Sequence, residues 1–414
     1  MSALQPAEAD PSDVSRGTAA FISRQPVLDA QRRVTGYRVA YATGDGGRSP
    51  ASEGADTRLF GDVISVVGLE ELVGETLAHL PISRRLLLTL GVPPVRPDQV
   101  VLRVTFEHAC DPELRLVLEA LAGRGYSLSL YDLPGPALEP DLLGLFGIVE
   151  VDCARWESSD RRAAVRTILD ERAAPLAVGL QSEEAFQDAC EIGFELFAGS
   201  FYSSPRHTEV RNVPVGALGT LAAVAQMQGA GGDIDELVKV IDRDLGLSVK
   251  LLRYINSAYF GMRSQITSIR QAVMMLGSRG VSRWAMMVAL TGGTAAPPEL
   301  SVMALTRARM CEVLASARSE VAGDEMFLIG LLSLADALLD VPLAVVLDEL
   351  PLADHLAAAL LERSGPAGAI LDAVISYEVG SFEASSVQAH RGTVADAYLD
   401  GLRWARESVR GMAD

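Results

Sequence analysis

Two halves of the chain differ in their pattern of apolar and polar positions. Up to about Pro205, short apolar runs alternate with segments whose apolar residues recur every three to four positions. The first kind predicts strands at 21–22, 34–41, 100–106, 127–131, 148–152, 175–180 and 196–202, and the second predicts helices at 57–73, 111–124, 159–173 and 182–192. This alternation predicts parallel strands with helical crossovers, either open or closed into a barrel. Because the span is short for eight units, we expect some barrel units to be missing.

From about Val213 onward the strand patterns nearly vanish and helical periodicity takes over. Helices are predicted at 247–259, 268–276, 300–321, 324–339, 343–349, 352–364 and 366–379, and Gly277 is expected to end the second of them. This half therefore predicts an all-α bundle. We divide the chain into a flexible tail (1–17), an α/β domain (18–205), a linker (206–212) and an all-α domain (213–414).

Charge and cysteine content narrow the classes of function. The formal net charge is −18, and such a field repels nucleic acids and anionic membranes. The four cysteines are scattered without a C-x-x-C pair, as is typical of proteins from a reducing compartment. No apolar run approaches the roughly 20 residues that span a bilayer. These features predict a soluble, cytoplasmic protein that neither binds nucleic acid nor inserts into a membrane.

Several fragments resemble known signalling domains. LSVKLLRYINSAYF at 247–260, ITSIRQAVMMLG at 266–277 and DEMFLIGLLS at 324–333 resemble the HDOD family, the catalytically silent relatives of HD phosphohydrolases. Gln25-Pro-Val, Gly36-Tyr37 and GSFYSSP at 199–205 resemble the opening and close of an EAL domain, the barrel that in active members cleaves cyclic di-GMP. The resemblance implies a multidomain α/β plus all-α protein, in which a degenerate EAL-type, TIM-like barrel precedes an HDOD helical bundle.

The resemblance also places residues of this chain at the cation-binding positions of active EAL domains. Arg38 and Arg103 fall where carboxylates hold divalent cations, whereas Asp132 and Asp152 are retained. Other positions of the active pattern hold Tyr131, Glu150, Val178, Gln181 and Ala198. Two surviving carboxylates beside two arginines predict the loss of hydrolysis. The first interpretation of Arg38 and Arg103 is that they are salt-bridged or surface residues, and the alternative is an anionic ligand.

In the helical half, Ser333 and Leu334 occupy the positions of the metal-binding His-Asp pair, and none of the five histidines precedes an aspartate. Asn256 and Ser257 also merit attention, because asparagine is unfavourable within a helix. The first interpretation of this pair is a bracket between helices, and the second is contact with a partner.

We therefore predict a bacterial signal-transduction or scaffold protein that is not an enzyme, needs no metal or other cofactor, and acts through an unidentified protein partner. A receptor that binds cyclic di-GMP without cleaving it is the alternative, and a cyclic di-GMP phosphodiesterase ranks third. The candidate ligand or interaction residues are Arg38, Arg103, Asp132, Asp152, Asn256 and Ser257.

Overall fold

The computed structural model describes residues 21–42, 68–203, 238, 241, 245–257, 260, 265–291, 296–316, 321–350, 352–380 and 391–412. The predicted tail at 1–17, the linker at 206–212 and the domain boundary beside it lie outside these residues. The proposed division into domains therefore stays a prediction.

Eight strands close into a barrel in chain order. The strands are β1 (Phe21–Asp29), β2 (Val34–Ala42), β3 (Leu77–Pro81), β4 (Val100–Thr105), β5 (Ser127–Tyr131), β6 (Ile148–Asp152), β7 (Ala174–Leu180) and β8 (Leu196–Gly199). β1 is antiparallel to both β2 and β8, and the other neighbouring strands are parallel. The predicted barrel is confirmed, but the expectation of missing units is wrong. A complete barrel forms because the sequence also supplies β3, which the apolar pattern did not predict.

Helices fill most connections between the strands. Their bounds are α1 (Leu69–Val73), α2 (Arg84–Leu90), α3 (Phe106–Ala109), α4 (Pro112–Gly123), α5 (Pro140–Leu143), α6 (Ser158–Asp170) and α7 (Glu183–Ile192). Local signals fix several ends, as in α4, where the Asp111 side chain accepts the amide of Glu113 and Pro112 takes the first helical position. Gly193 ends α7 in the left-handed conformation, with φ of 103°.

The strands alternate between an outer and an inner face. Outward residues such as Ile22, Leu28 and Val39 join the main apolar core. A separate small apolar cluster consists of Val27, Leu176, Val178 and Ala198. Val27 alternates with its outward neighbour Leu28, so this cluster lies inside the barrel. The remaining inward positions are polar and form the candidate site.

The second half is helical, as predicted. Its helices are α8 (Leu245–Ile255), α9 (Ile269–Thr291), α10 (Pro298–Ser316), α11 (Gly323–Leu332), α12 (Ala335–Leu339), α13 (Leu343–Asp348), α14 (Asp354–Glu362), α15 (Gly365–Glu378) and α16 (Arg391–Met412). Gly277 has a φ of 68° and interrupts α9, but the helix resumes beyond it. The apolar pattern placed the stop correctly and missed the continuation, and it also missed α16.

The two halves share buried polar contacts. Arg24 of β1 forms an ion pair with Glu299 of α10 at 2.9 Å, and both side chains are less than a tenth exposed. Tyr377 of α15 bonds to the backbone of Ile22. Within the described ranges, every helix is too short or too polar to cross a bilayer.

Candidate functional site

Strand register brings the polar inward residues to one layer of the barrel. Arg38 of β2 lies opposite His79 of β3, and Arg103 of β4 lies opposite Ser129 of β5. Glu150 of β6 lies opposite Leu176, a member of the inner apolar cluster. Paired residues on neighbouring strands point to the same face. Side chains from five consecutive strands therefore meet inside the barrel.

Glu150 is the centre of this layer. Its carboxylate accepts two bonds from Arg103, Nε to Oε1 at 2.6 Å and Nη2 to Oε2 at 2.9 Å. Arg38 Nη2 lies 3.2 Å from the same Oε2, and the Ser129 hydroxyl lies 3.3 Å from Oε1. The side chains of Glu150 and Arg103 are 2% and 9% exposed, whereas that of Arg38 is 23% exposed. Two guanidinium groups thus share one buried carboxylate.

The charges of the layer shift each other's titration. Burial alone raises the pKa of Glu150, but Arg103 and Arg38 outweigh it and lower the pKa to about 2. Burial opposes the charge of Arg103 as well, and Glu150 outweighs it and raises the arginine's pKa. For Arg38 the balance is reversed. Burial, with Arg103 close by, lowers the pKa of Arg38 despite Glu150.

His79 completes the layer as a neutral group. Its side chain lies beside Gly36, where a Cβ would come within 2.7 Å of the Leu77 carbonyl oxygen and 2.9 Å of His79 Nε2. Glycine at position 36 therefore makes room for the imidazole. Burial lowers the pKa of His79 to about 4, and Arg38 and Arg103 contribute to the shift. At neutral pH the imidazole adds no charge.

Arg38 is the partly exposed cation of the site. Its Nη1 donates to Gln25 Oε1 at 3.0 Å, and Nη2 faces Glu150. Its buried Nε has no hydrogen-bond partner among the described residues. A planar, partly exposed guanidinium is a donor suited to a phosphate or carboxylate oxygen.

The two candidate aspartates lie nearer the ends of the strands. Asp152 Oδ1 accepts the amide of Ala154 at 3.0 Å, and its charge raises the pKa of Arg38. Asp132 has a φ of 59° just after β5, and its carboxylate contacts Arg155 Nη1 at 3.3 Å in an exposed ion pair. Asp152 therefore acts on the central layer electrostatically, whereas Asp132 belongs to an exposed rim.

The donor set was tested for its fit to a divalent cation. Within the part of the chain that the structure describes, no three acidic, histidine or cysteine side chains are close enough to hold a metal ion. Both oxygens of Glu150 already accept bonds from Arg103. The residues present do not fit a metal centre, and we derive no metal-dependent step.

The helical half contains its own buried ion pair, which bonds to Ser333, the residue that the resemblance placed at the His-Asp motif. Arg307 donates from Nη2 to Glu378 Oε2 at 2.6 Å and from Nε to both carboxylate oxygens. Its Nη1 donates to the Ser333 hydroxyl at 2.9 Å, and that hydroxyl donates to the Gly330 carbonyl at 2.7 Å. Gly330 permits the close approach, because a Cβ there would lie 2.6 Å from Ala308 Cα.

Asn256 is far from the barrel layer in sequence and bonds within its own half. Its amide nitrogen donates to the carbonyls of Leu252 and Ile266 at 2.8 and 2.7 Å, and its oxygen accepts the amide of Ile266 at 2.7 Å. The side chain therefore braces the end of α8 against the segment before α9. A role for Ser257 in contact with a partner stays a prediction. Met274 and Met275 of α9 have exposed side chains.

Sequence reasoning missed four members of the barrel layer: Gln25, His79, Ser129 and Glu150. Glu150 was assigned to a lysine position of the active pattern and not recognised as the partner of both arginines. A signal was present, because the alternation in Ile148–Asp152 turns Glu150 toward the barrel interior. An inward acid needs a buried cation.

Comparisons with known proteins define the class. The HDOD domain family matches residues 220–339. The chain therefore places a closed eight-stranded barrel before a helical region that matches the HDOD family, the order of domains that the resemblance implied.

Two relatives align along nearly the whole chain. YuxH of Bacillus subtilis is 26% identical over 400 residues, which cover 93% of this chain and 97% of YuxH. CdgJ of Vibrio cholerae, named a cyclic di-GMP phosphodiesterase, is 29% identical over 412 residues, which cover 94% of this chain and 93% of CdgJ. The solved complex of Klebsiella pneumoniae BlrP1 with manganese and cyclic di-GMP is 19% identical, with a TM-score of 0.37 over 44% of this chain and 55% of BlrP1. A likeness of that size carries no argument about function.

The name of CdgJ corrects the sequence interpretation. We predicted from the resemblance that this chain is not an enzyme. A relative that matches both halves is named a phosphodiesterase, so that prediction is contradicted. The substitution of individual carboxylates in one chain was too narrow a basis for excluding catalysis.

Proposed function

We propose that this protein acts in cyclic di-GMP signalling and that its barrel binds the anionic dinucleotide through Arg38. The observation that carries the proposal is the pair of guanidinium groups that share Glu150. One of them, Arg103, donates two bonds to the carboxylate. The other, Arg38, faces the carboxylate through Nη2 alone, and its side chain is 23% exposed.

The charge and hydrogen-bond donors around Arg38 favour a phosphodiester as the ligand. Among the groups within hydrogen-bonding distance, two arginines face one glutamate, and His79 is neutral at pH 7; Asp152 reaches Arg38 only through its charge. A phosphodiester carries one negative charge and accepts hydrogen bonds in the plane of a guanidinium. The bound phosphate would compensate a charge that burial now disfavours. The name of CdgJ supports the dinucleotide as the source of that phosphate.

Isothermal titration calorimetry with cyclic di-GMP tests the proposal. We expect saturable heat with the wild-type protein. Arg38→Met should weaken binding roughly tenfold or more, because a charge-assisted bond contributes about 1.5–3 kcal/mol. Arg33→Met is the matched control: Arg33 lies just before β2, is 76% exposed and pairs with Asp29. Absence of heat in the wild type, or equal weakening by the two substitutions, would contradict the proposal.

Hydrolysis of the bound dinucleotide is the second candidate function, and the name of CdgJ favours it. The measurement is chromatography of cyclic di-GMP incubated with the protein and Mg²⁺ or Mn²⁺. Appearance of the linear dinucleotide would establish turnover. An unchanged nucleotide, together with measurable binding, would restrict the role of this chain to recognition.

A further inference from the structure

The hairpin of β1 and β2 presents different chemistry on its two faces. Gln25 lies opposite Arg38 in the register, and their side chains bond inside the barrel. The preceding residue of each strand, Arg24 and Tyr37, points outward, because successive side chains of a strand alternate. The barrel centre and the outer surface of this hairpin are therefore separated by one layer of backbone.

The outer face is bonded to the helical half. Arg24 Nη2 pairs with Glu299 Oε1 at 2.9 Å, and the Tyr37 hydroxyl donates to Glu299 Oε2 at 2.6 Å. The guanidinium of Arg24 also lies 4.0 Å from the centre of the Tyr37 ring, and its Nη1 donates to the Leu72 carbonyl at 2.9 Å. Burial opposes the charge of Arg24, and the Glu299 carboxylate outweighs it and raises the pKa. This contact is charged and closely packed.

A second contact holds the start of β1. The Tyr377 hydroxyl accepts the amide of Ile22 at 3.2 Å and donates to the carbonyl of Ile22 at 2.8 Å. β8 pairs with β1 at Leu28 and Asp29. The Tyr377 side chain of α15 therefore provides hydrogen bonds to the backbone of β1 at Ile22, a position that β8 does not pair with.

We propose that the β1–β2 hairpin couples the centre of the barrel to the helical domain. A change in the bond between Gln25 and Arg38 shifts the backbone that also carries Arg24 and Tyr37, and both of these side chains are bonded to Glu299 of α10. Buried, closely packed contacts transmit such shifts because they do not deform continuously. The coupling is reciprocal, so a partner that moves α10 also changes the barrel centre. Its ligand-dependent form rests on the proposed function, whereas the mechanical link does not.

Hydrogen exchange of the full-length protein tests the mechanical link. Gln25→Met removes the bond to Arg38 and keeps a side chain of similar length. Ser129→Ala is the matched control, since Ser129 bonds to the same cluster from β5, on the opposite wall of the barrel. We expect Gln25→Met to accelerate exchange in Pro298–Ser316 and Gly365–Glu378 by roughly five- to tenfold, the size expected for one lost, partly buried hydrogen bond. Ser129→Ala should leave these amides within about twofold of the wild type.

Arg38→Met removes the other end of the same bond and must reproduce the pattern of Gln25→Met. The link is refuted when both variants leave the helical amides unchanged, or when Ser129→Ala accelerates them equally. A titration with cyclic di-GMP separates this proposal from the proposed function. Heat of binding without altered exchange in the two helices refutes ligand-dependent coupling and leaves the function intact. Absence of heat refutes the function, and the variants still decide the link.

Discussion

The barrel centre and the core of the helical bundle each contain a buried arginine–glutamate pair, but they differ in how completely the arginines are bonded. In the bundle, all three nitrogens of Arg307 donate, two to Glu378 and one to Ser333. In the barrel, Glu150 is shared, and Arg38 keeps a buried Nε without a partner among the described residues. The bundle pair is locally complete, whereas the barrel cluster has spare positive charge.

This difference indicates which of the two clusters is suited to binding a ligand and which stabilises the fold. Removing one partner of a buried, fully hydrogen-bonded ion pair strongly destabilises the fold, because the other charge is then left buried and uncompensated. A cluster with an excess cation still gains from an incoming anion. The comparison therefore favours a structural role for Arg307 and Glu378 and a ligand-binding role for Arg38.

The largest expected effect comes from neutralising the two glutamates in turn. Glu150→Gln leaves the buried Arg103 and the partly exposed Arg38 without a counter-ion at hydrogen-bonding distance, and Glu378→Gln leaves the buried Arg307 without one. Loss of one partner of a buried pair costs about 3–5 kcal/mol of unfolding free energy. We expect both variants to be destabilised and Glu150→Gln to be the more so. Urea unfolding followed by circular dichroism provides the measurement.

The control for this comparison is Glu113→Gln, whose carboxylate is 72% exposed and contacts Arg84. It should change the unfolding free energy by less than about 1 kcal/mol. A larger loss in Glu378→Gln than in Glu150→Gln would remove the argument that the barrel cluster is the one with excess positive charge.

The pH dependence of stability distinguishes the barrel from the bundle through His79. Its pKa is about 4 in the folded protein, against an ordinary value of 6.5. The unfolded chain therefore takes up a proton at pH values where the folded protein does not, so the free energy of unfolding falls as the pH drops below 6.5. Between pH 6.5 and 5 the expected loss is about 1.5 kcal/mol. Glu150 adds its own loss at lower pH, between its ordinary value of 4.5 and about 2.

Urea titrations at pH 7, 6 and 5 measure this slope. His79→Gln should flatten it, whereas His355→Gln should keep it, because the His355 side chain is 61% exposed. A wild-type slope that persists in His79→Gln would show that acid sensitivity in this range arises elsewhere in the protein.

The same comparison explains what the sequence predicted and what it missed. The order of strands and helices followed from apolar periodicity, because each element buries one face. β3 was missed because its sequence, Leu-Ala-His-Leu-Pro, contains none of the β-branched residues, Phe, Tyr or Trp that favour strands. The first interpretation of Arg38 and Arg103 was that they are salt-bridged or surface residues, and both lie within salt-bridge distance of Glu150. Their partner was missed because strand register sets it, and register depends on long-range pairing.

In the bundle, sequence reasoning identified Ser333 at the position of a lost metal ligand but not the pair that surrounds it. The three residues of this cluster lie on or beside three different helices. Ser333 is 26 residues from Arg307 along the chain, and Glu378 is 71 residues from it. No local periodicity relates such positions. In the barrel, the sharing of Glu150 by Arg103 and the partly exposed Arg38 is likewise a property of the assembled site and not of any single strand.

The smallest predicted effect compares the two serines that support the pairs. Ser333→Ala removes the acceptor for Arg307 Nη1, so a buried charged donor loses its partner, and we expect a loss of about 1–2 kcal/mol. Ser129→Ala removes one weak donor to Glu150, which keeps its bonds to Arg103 and Arg38, and we expect about 0.5 kcal/mol or less. Urea unfolding of both variants at pH 7 decides the order. Equal losses of unfolding free energy would mean that the Ser129 bond contributes as much to the barrel cluster as the Ser333 bond contributes to the bundle pair. The proposed difference between the two clusters would then be contradicted.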